Sequence, residues 1–232
     1  MKKCSMTTMD TLIKPKIERN YSPDLLSWEE LSNLVNNLPL MTMDRFIVNL
    51  PEDYARNLSW SLDMWTTDKR SIPSSILKDI IERYVCHIKE MSRSTRKIND
   101  FAKSIEYEYS MPTDAHIYMC KNVEVEHPFG IHFDRSHNII VQCEGETNFK
   151  VWDKVDEGII QYEQVGMKQD SINLNIEDDP LLDIDMKPGD AIWIPKYYPH
   201  LATSHTPRMS VSFPFKSRLK DEPIQNREWI QL

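Results

Sequence analysis

The sequence contains no long apolar run, although a membrane-spanning helix needs roughly 18 or more consecutive apolar residues. The opening residues, MKKCSMTTMDTLIKPK, carry lysines without an apolar run behind them, so we expect no signal peptide. The chain has four cysteines and no Cys-x-x-Cys pair, which is typical of free thiols rather than of a disulfide framework. The scattered cysteines are Cys4, Cys86, Cys120 and Cys143. We therefore expect a cytoplasmic, or at least intracellular, protein.

The sequence also has no excess of basic over acidic residues. The chain has 28 Lys and Arg against 36 Asp and Glu, which gives a formal net charge of −8. Without a basic footprint, we do not expect a nucleic-acid backbone to be the main partner. We find no internal repeat and no low-complexity tract, and 232 residues suit one large domain or a core domain with an appendage.

The first half of the chain carries mostly helical signals, after a polar stretch at residues 1–23 that predicts a loose arm. Ser27-Trp28-Glu29-Glu30 has the Ser-x-x-Glu spacing of a capping box, and the helix it begins should end near Leu38-Pro39. Further helices are predicted at residues 52–65, 71–91 and 93–107, whereas 42–50 fits either a strand or a short helix. We expect residues 1–110 to form a mostly helical region that packs on the sheet that follows.

From Asp114 onward, short apolar segments alternate with turns rich in Gly and Pro, which is typical of an all-β barrel or sandwich. Residues 111–219 are therefore predicted to form a β core, followed by a polar C-terminal tail at 220–232. The predicted strands lie at residues 115–120, 131–143, 148–152, 158–162, 171–176, 182–186, 191–195 and 207–215.

Within this β region, His132-Phe133-Asp134 and the distant His200 are the candidate metal ligands. Residues i and i+2 of a strand point to the same face, so His132 and Asp134 can reach one ion together. The stretch KPGDAIWIPKYYPH supplies a turn, an apolar strand and a second turn that lead to His200. Two imidazoles and one carboxylate on a single face, with other positions open, suit non-haem Fe(II) in oxygenases. We expect the neighbouring His137 to lie behind the ligands or on the surface, and we assign no role to His87.

Three segments carry a family likeness: HFDRSHNIIVQCEGETNFKVW, KPGDAIWIPKYYPH and RMSVSFPF resemble the JmjC-like cupin oxygenases. Within that group they are most similar to the branch with ribosomal-protein hydroxylases and the asparaginyl hydroxylase of a hypoxia factor. The resemblance covers roughly residues 113–216. It implies an α+β protein whose mainly β core is a double-stranded β-helix (cupin or jelly roll), with the helical N-terminal half packed on it.

The resemblance also implies a function. His132, Asp134 and His200 would bind Fe(II), and no catalytic residue beyond these ligands would be needed. The cosubstrates would be 2-oxoglutarate and O2, with oxidative decarboxylation of 2-oxoglutarate coupled to substrate oxidation. Such a non-haem iron dioxygenase would most simply be a hydroxylase, acting on a protein side chain or a small molecule.

One position departs from the family pattern. In the family a Lys or Arg usually meets the far carboxylate of 2-oxoglutarate, but Thr147 stands there, and strand parity turns Lys150 to the opposite face. Fe(II) with one ionised Asp leaves a single positive charge, so a bound dianion would bury an unpaired carboxylate unless another cation meets it. Arg208, which shares a strand face with Ser210, is the best candidate for that role.

Asn138, Tyr118 and Thr147 are further candidates for hydrogen bonds to the cosubstrate, whereas Trp193 is expected in the core rather than under a substrate. Two alternatives stay open. The uncharged Thr147 would suit a metal-dependent cupin enzyme that does not use 2-oxoglutarate. A non-catalytic cupin-fold binding module is the other alternative, although such a module has no need for a complete triad.

Overall fold

The computed structural model describes residues 14–37, 41–42, 46–48, 71–72, 74–122, 130–134, 136–155, 176 and 178–215. Several predicted segments lie outside these residues: the helix at 52–65, the strand at 158–162, all but the last residue of the strand at 171–176, and the tail at 220–232. No helix within the described ranges is long and apolar enough to cross a membrane.

The described part of the chain combines short strands with helices of moderate length. Its helices are α1 (Trp28–Asn37), α2 (Ser74–Arg83) and α3 (Arg96–Tyr109). The strands of the N-terminal half are β1 (Lys16–Glu18), β2 (Met41–Thr42), β3 (Phe46–Val48), β4 (Ser71–Ile72) and β5 (Cys86–Ile88). Those of the C-terminal half are β6 (His116–Cys120), β7 (His137–Glu144), β8 (Thr147–Val151), β9 (Leu182–Met186), β10 (Ala191–Ile194), β11 (His200–Thr203) and β12 (Arg208–Phe215).

The strands form two main antiparallel sheets. The larger sheet has seven strands in the order β1-β10-β7-β12-β6-β5-β3, and the smaller has three in the order β11-β8-β9. From β7 onward the chain passes repeatedly between the sheets: β8 and β9 lie in the smaller one, β10 in the larger, β11 in the smaller and β12 in the larger. An apolar cluster that includes Ile140, Phe149 and Met186 joins the two sheets. This alternation is the predicted double-stranded β-helix.

The main core lies between the helices and the outer face of the larger sheet. It combines residues such as Leu31, Ile80 and Ile98 from the three helices with Val211 and Phe213 from β12. Because strand side chains alternate, the opposite face of β12 carries a different set, all buried: Arg208, Ser210 and Ser212. The strand therefore directs its polar side chains into the space between the two sheets, where the candidate site lies.

The capping box at the start of α1 is confirmed. The backbone N–H of Glu30 donates to Ser27 Oγ at 3.1 Å, and the backbone N–H of Ser27 donates to Glu30 Oε2 at 2.9 Å. Two N–H groups that the helix itself leaves unpaired are thus satisfied. Trp193 is buried in the main core, as predicted.

The predicted helix from Ser71 to Met91 is wrong at its C-terminal end. The helix ends at Arg83, and Cys86–Ile88 forms β5, which pairs antiparallel with both β3 and β6. This segment is buried throughout, so its backbone groups need partners that the neighbouring strands supply. Pairing between strands distant in sequence overrides a helical apolar pattern here.

Two smaller predictions also need correction. Residues 16–18 are not part of a loose arm, because β1 pairs with β10 at the edge of the larger sheet. The predicted strand 131–143 is not continuous: β7 begins at His137, and before it His132 makes only an isolated bridge to His200. His132 and its neighbours are therefore held by this bridge to the start of β11, and they do not form one long strand with β7.

Candidate metal centre

His132, Asp134 and His200 come together at one end of the space between the sheets. Each offers one ligand atom, and these atoms all lie within 4.8 Å of one another. The backbones of His132 and His200 exchange two hydrogen bonds, of 3.2 Å and 2.8 Å, which brings the two imidazoles side by side. The backbone N–H of Tyr197 donates to the carbonyl of Asp134 at 2.8 Å and fixes the third residue. Backbone pairing therefore assembles the triad.

Both histidines are held in the tautomer that a metal requires. His132 Nδ1 lies 3.1 Å from the carbonyl oxygen of Gly130, and His200 Nδ1 lies 3.0 Å from that of Tyr198. A carbonyl only accepts, so each Nδ1 carries the proton and each Nε2 keeps its lone pair. His200 Nε2 is 3.7 Å from Asp134 Oδ2, so the free lone pair and the carboxylate face a common point.

Burial favours the neutral, metal-binding form of His200. Only 4 % of this residue is exposed, and burial, with a smaller contribution from the neighbouring His132, lowers the pKa of its imidazole from 6.5 to about 4. A metal ligand must be deprotonated at Nε2, so His200 is ready to bind an ion at neutral pH.

A chain of buried hydrogen bonds orients the Asp134 carboxylate. Asn138 Nδ2 donates to Asp134 Oδ2, and Ser212 Oγ donates to Asn138 Oδ1 at 3.4 Å. Asn138 and Ser212 are buried, whereas Asp134 is partly exposed. The sequence pointed to Asn138 as a cosubstrate residue, but here it contacts a carboxylate of the triad. Ser212 was not foreseen, although it continues the alternate positions of Arg208 and Ser210.

Arg208 is a buried cation on the inner face of β12. Only 6 % of it is exposed, and burial lowers the pKa of its guanidinium to about 10. Among the residues that the structure describes, none forms a hydrogen bond or an ion pair with it. A buried, unpaired guanidinium is costly unless an anion meets it. Ser210 follows on the same face and lies opposite Tyr118 of β6 and Gln142 of β7.

Thr147 and Lys150 lie on opposite faces of β8, as their parity in the strand predicts. Thr147 is 1 % exposed and faces inward, whereas Lys150 points outward and pairs with Asp183 at 3.5 Å. Lys150 therefore does not supply a cation to the interior. Within the described ranges, Arg208 is the cation that shares the inner face with the polar side chains.

Several inward-facing polar groups have no partner. Four buried side-chain atoms in the described part of the chain lack a hydrogen bond, and three of them, Thr147 Oγ1, Gln142 Oε1 and His87 Nε2, belong to inner-face residues. Each such atom costs about 1–3 kcal/mol if it stays unpaired. A polar ligand that reached the inner face could supply the missing partners of Thr147 and Gln142. Gln142 was not foreseen from the sequence, because a lone Gln in an apolar strand carries no distinctive signal.

A tight turn packs the end of β7 against the start of β12. Gln142 Nε2 donates to the carbonyls of Glu144 and Gly145 at 2.8 and 3.2 Å, so its side chain reaches the β7–β8 turn. Gly145 packs so closely on Pro207 that an added Cβ would lie 1.9 Å from the Pro207 carbonyl oxygen. The residue after that proline is Arg208, so this contact fixes the start of β12 against the turn.

Tyr118 lies on β6 beside the triad and is flanked by His87 of β5. Burial and the nearby Asp134 carboxylate raise the pKa of the Tyr118 phenol. The rings of His87 and Tyr118 stack with centroids 4.1 Å apart and an interplanar angle of 14°. His87 was set aside at the sequence level because it was placed on a helix, and the strand β5 brings it into the interior instead. His137, by contrast, stacks on Phe215 and is not part of the triad.

Comparison with known families identifies a related group. A model of the JmjC domain matches residues 85–222, which is more than half of the chain. No curated protein matches the sequence.

The fold is similar to that of solved structures. A crystal structure of E. coli YcfD has a TM-score of 0.54 and 14 % sequence identity, over 90 % of this chain and 51 % of that one. A structure of YcfD, described as a ribosomal oxygenase from E. coli, in complex with cobalt and succinic acid has a TM-score of 0.53 and 16 % identity, over 90 % and 49 % of the two chains. Another, with cobalt and 2-oxoglutarate, has a TM-score of 0.50 and 14 % identity over the same fractions. The present chain spans about half the length of these structures.

Proposed function

The chain belongs to the JmjC domain family, and from that premise we propose that it is an Fe(II)- and 2-oxoglutarate-dependent oxygenase, most simply a hydroxylase. The observation that carries the proposal is the triad of His132, Asp134 and His200, whose ligand atoms lie within 4.8 Å of one another. Two imidazole nitrogens and one carboxylate are the donor set of non-haem Fe(II) oxygenases.

The surroundings of the triad fit a metal centre. Both histidines donate Nδ1–H to backbone carbonyls, and Asn138 donates to the carboxylate of Asp134. Such hydrogen bonds behind the ligands fix their orientation and increase the basicity of the imidazoles. We propose that these three side chains hold the iron and that the remaining coordination positions are left to cosubstrate and O2.

The polar groups on the inner faces of the sheets fit a bound dicarboxylate. Arg208 is a buried guanidinium with no anion among the described residues, and Thr147 Oγ1 is a buried hydroxyl without a partner. A guanidinium can grip a carboxylate through two parallel charge-assisted hydrogen bonds, to which Ser210 can add a third. At about 3.4 Å per residue along β12, Arg208 and Ser212 are roughly 14 Å apart. Ser212 lies at the level of the triad, because it bonds to Asn138, which contacts Asp134. An arginine side chain and a five-carbon dicarboxylate together bridge most of that distance.

Iron with 2-oxoglutarate would supply the oxidising chemistry, by decarboxylating the keto acid and activating O2. The contribution of the chain is to hold and orient the reactants. Arg208, Ser210 and Thr147 would bind the far carboxylate, and Tyr118 would donate a hydrogen bond from the adjacent strand. The apolar cluster around Phe149 and Ile192 would keep water from the buried end of the site.

The substrate is proposed only by class. The E. coli protein with a similar fold is described as a ribosomal oxygenase, so a ribosomal protein side chain is a reasonable first candidate. The net charge of −8 suits a basic protein partner of that kind. Small-molecule substrates are the alternative, and the mass of the oxidised product would distinguish the two.

An anaerobic titration tests the proposal without a known substrate. Metal-free protein is loaded with Fe(II) and then with 2-oxoglutarate, and visible absorption is recorded. We expect the weak charge-transfer band of a keto acid chelated to iron, lost in His132→Ala and retained in His205→Ala, which removes an exposed histidine outside the triad. Iron binding without the band would favour a metal cupin enzyme that does not use 2-oxoglutarate, which Thr147 also favours. No iron binding would favour a binding module.

The role of Arg208 is tested by its replacement with methionine, which keeps most of the side-chain length and removes the charge. We expect Arg208→Met to weaken 2-oxoglutarate binding at least tenfold with little change in metal affinity, because only the far carboxylate loses its partner. Lys150→Met is the matched control, since that lysine faces outward on β8. Equal affinity in the two variants would exclude Arg208 as the carboxylate ligand.

A further inference from the structure

His87 is a buried imidazole that the triad does not use. It is 6 % exposed, and its Nε2 has no hydrogen-bond partner within the described ranges. Its ring lies against the ring of Tyr118, nearly parallel, and 5.1 Å from the ring of His116. Burial, together with the smaller effects of His116 and Lys89, lowers the pKa of His87 to about 3. The imidazole is therefore neutral near pH 7, and its contact with Tyr118 is an aromatic stack rather than an ion pair.

His87 belongs to a row of polar side chains that crosses four adjacent strands. His87 of β5 pairs with Tyr118 of β6, and Tyr118 pairs with Ser210 of β12. On its other side, Ser210 pairs with Gln142 of β7. Neighbouring strands are about 4.8 Å apart, so His87 is roughly 10 Å from the strand that carries Arg208. A cosubstrate gripped by Arg208 would thus be separated from His87 by Tyr118. Any effect of His87 on that ligand must pass through the tyrosine ring.

One face of the Tyr118 ring lies against the ring of His87. Rotation about the Cβ–Cγ bond of tyrosine has a broad, two-fold energy profile. A parallel ring at 4.1 Å on one side limits that rotation. The stack therefore contributes to setting the plane of the Tyr118 ring, on the strand between those that carry His87 and Ser210.

We propose that His87 is a positioning residue for the cosubstrate: its ring fixes the orientation of Tyr118, and the Tyr118 hydroxyl then meets 2-oxoglutarate. This inference rests on the proposed function, since Tyr118 needs that ligand to act on. The stack requires an aromatic ring but not the unpartnered nitrogen. Phenylalanine at position 87 should therefore preserve the effect, whereas leucine, similar in bulk but without a planar ring, should lose it.

The test measures 2-oxoglutarate binding to the full chain loaded with Mn(II), by calorimetry, so that no turnover is required. We expect His87→Leu to weaken binding about fivefold and His87→Phe to stay within about twofold of the wild type. Tyr118→Leu should weaken binding by at least as much as His87→Leu. The double variant should bind no more weakly than Tyr118→Leu alone, because His87 acts through that ring.

Controls separate positioning from general destabilisation. Phe101→Leu removes a ring that packs on Phe213, at 4.6 Å, on the helix-covered face of the same sheet. It should lower the unfolding temperature without changing 2-oxoglutarate affinity, and Mn(II) binding by each variant verifies its fold. If leucine at position 87 prevents folding, His87→Gln replaces it, with the same loss of affinity expected, because glutamine also lacks a ring.

Three results would overturn the inference. Wild-type affinity in His87→Leu would show that the stack is unimportant. Equal weakening in His87→Phe and His87→Leu would make the nitrogen, not the ring, the important group. If the losses of 2-oxoglutarate affinity add up in the double variant, His87 acts independently of Tyr118. If the wild-type Mn(II) protein itself fails to bind 2-oxoglutarate, the proposed function falls, and this inference with it.

Discussion

At the scale of single residues, the triad is defined as much by its hydrogen-bond partners as by its ligands. The Gly130 and Tyr198 carbonyls hold the Nδ1 protons of His132 and His200, at 3.1 and 3.0 Å. Each carbonyl lies two residues before the histidine that it contacts, so the local backbone sets the tautomer. The carboxylate depends instead on Asn138, four residues further along the chain and within β7.

Removing that amide should weaken metal binding. We expect Asn138→Ala to reduce Mn(II) or Co(II) affinity about tenfold or more, because hydrogen bonds behind metal ligands typically contribute 10–100-fold. Asn148→Ala is the control, since its amide contacts Asp183 and Asp185 on the exposed side of the smaller sheet. Calorimetric titration of the two variants gives the comparison. Equal affinities would mean that Asp134 is oriented without Asn138.

The buried His87 should also make the free energy of unfolding depend on pH. Its folded pKa of about 3 lies below the ordinary value of 6.5, so the unfolded chain takes up a proton first as pH falls. Its contribution to stability is therefore complete above about pH 6.5 and lost progressively down to about pH 3. We expect the stability advantage of His87→Phe over the wild type to grow by about 2 kcal/mol between pH 7 and pH 5.

Urea unfolding at the two pH values measures this difference. The half-buried His137 and the buried His200 also have lowered pKa values, but both proteins share them, so their contributions cancel in the comparison. A pH-independent difference between His87→Phe and the wild type would mean that His87 is hydrated or paired in the folded protein.

At the scale of secondary structure elements, the β7–β8 turn controls the end of the pocket that holds Arg208. Gly145 has φ +65° and would place a Cβ 1.9 Å from the Pro207 carbonyl oxygen. Gly189, before β10, has φ +94°, but its nearest neighbour would be a carbon of Pro23 at 3.1 Å. The two glycines share a left-handed backbone, and only Gly145 adds a backbone collision.

The pair of alanine variants separates strain from collision. We expect Gly189→Ala to lower the free energy of unfolding by about 1 kcal/mol, from the left-handed conformation. Gly145→Ala should lower it by about 3 kcal/mol or more, because Pro207 must also move. It should weaken 2-oxoglutarate binding as well, since Arg208 follows that proline. Urea unfolding measures the loss of unfolding free energy in each variant. Similar losses would show that the close approach of Gly145 to Pro207 adds no cost of its own.

At the scale of the whole molecule, a metal held by the triad would join elements that are far apart in sequence. His132 and Asp134 precede β7, whereas His200 begins β11 of the smaller sheet, so one ion would hold both sheets together. A ligand that binds only the folded state stabilises it by about 2.7 kcal/mol at 100 times its Kd.

We therefore expect Mn(II) to raise the unfolding temperature by several degrees and a chelator to reverse the change. The shift should vanish in His132→Ala and persist in His205→Ala, whose histidine is exposed. A shift of equal size in both variants would mean that the ion binds elsewhere.

Much of this organisation follows from local patterns. The His132-Phe133-Asp134 spacing, the Pro-Gly-Asp turn before β10 and the capping box at Ser27 each reflect short-range geometry that neighbouring residues determine. The inward direction of Thr147 and the outward direction of Lys150 follow from strand parity alone. The candidate ligands, the β core and the uncharged Thr147 on β8 were accordingly all visible in the sequence.

What the sequence by itself determined, then, is the set of candidate ligands and the positions of most core strands along the chain, because both depend on alternation and turns; the strand at His200–Thr203 was missed. The tertiary structure alone decided that Cys86–Ile88 is a strand, that Asn138 contacts Asp134, and that His87 stacks on Tyr118. The physical reason is that an isolated three-residue strand is not stable, and only pairing with β3 and β6 makes extended backbone at 86–88 more favourable than a longer helix.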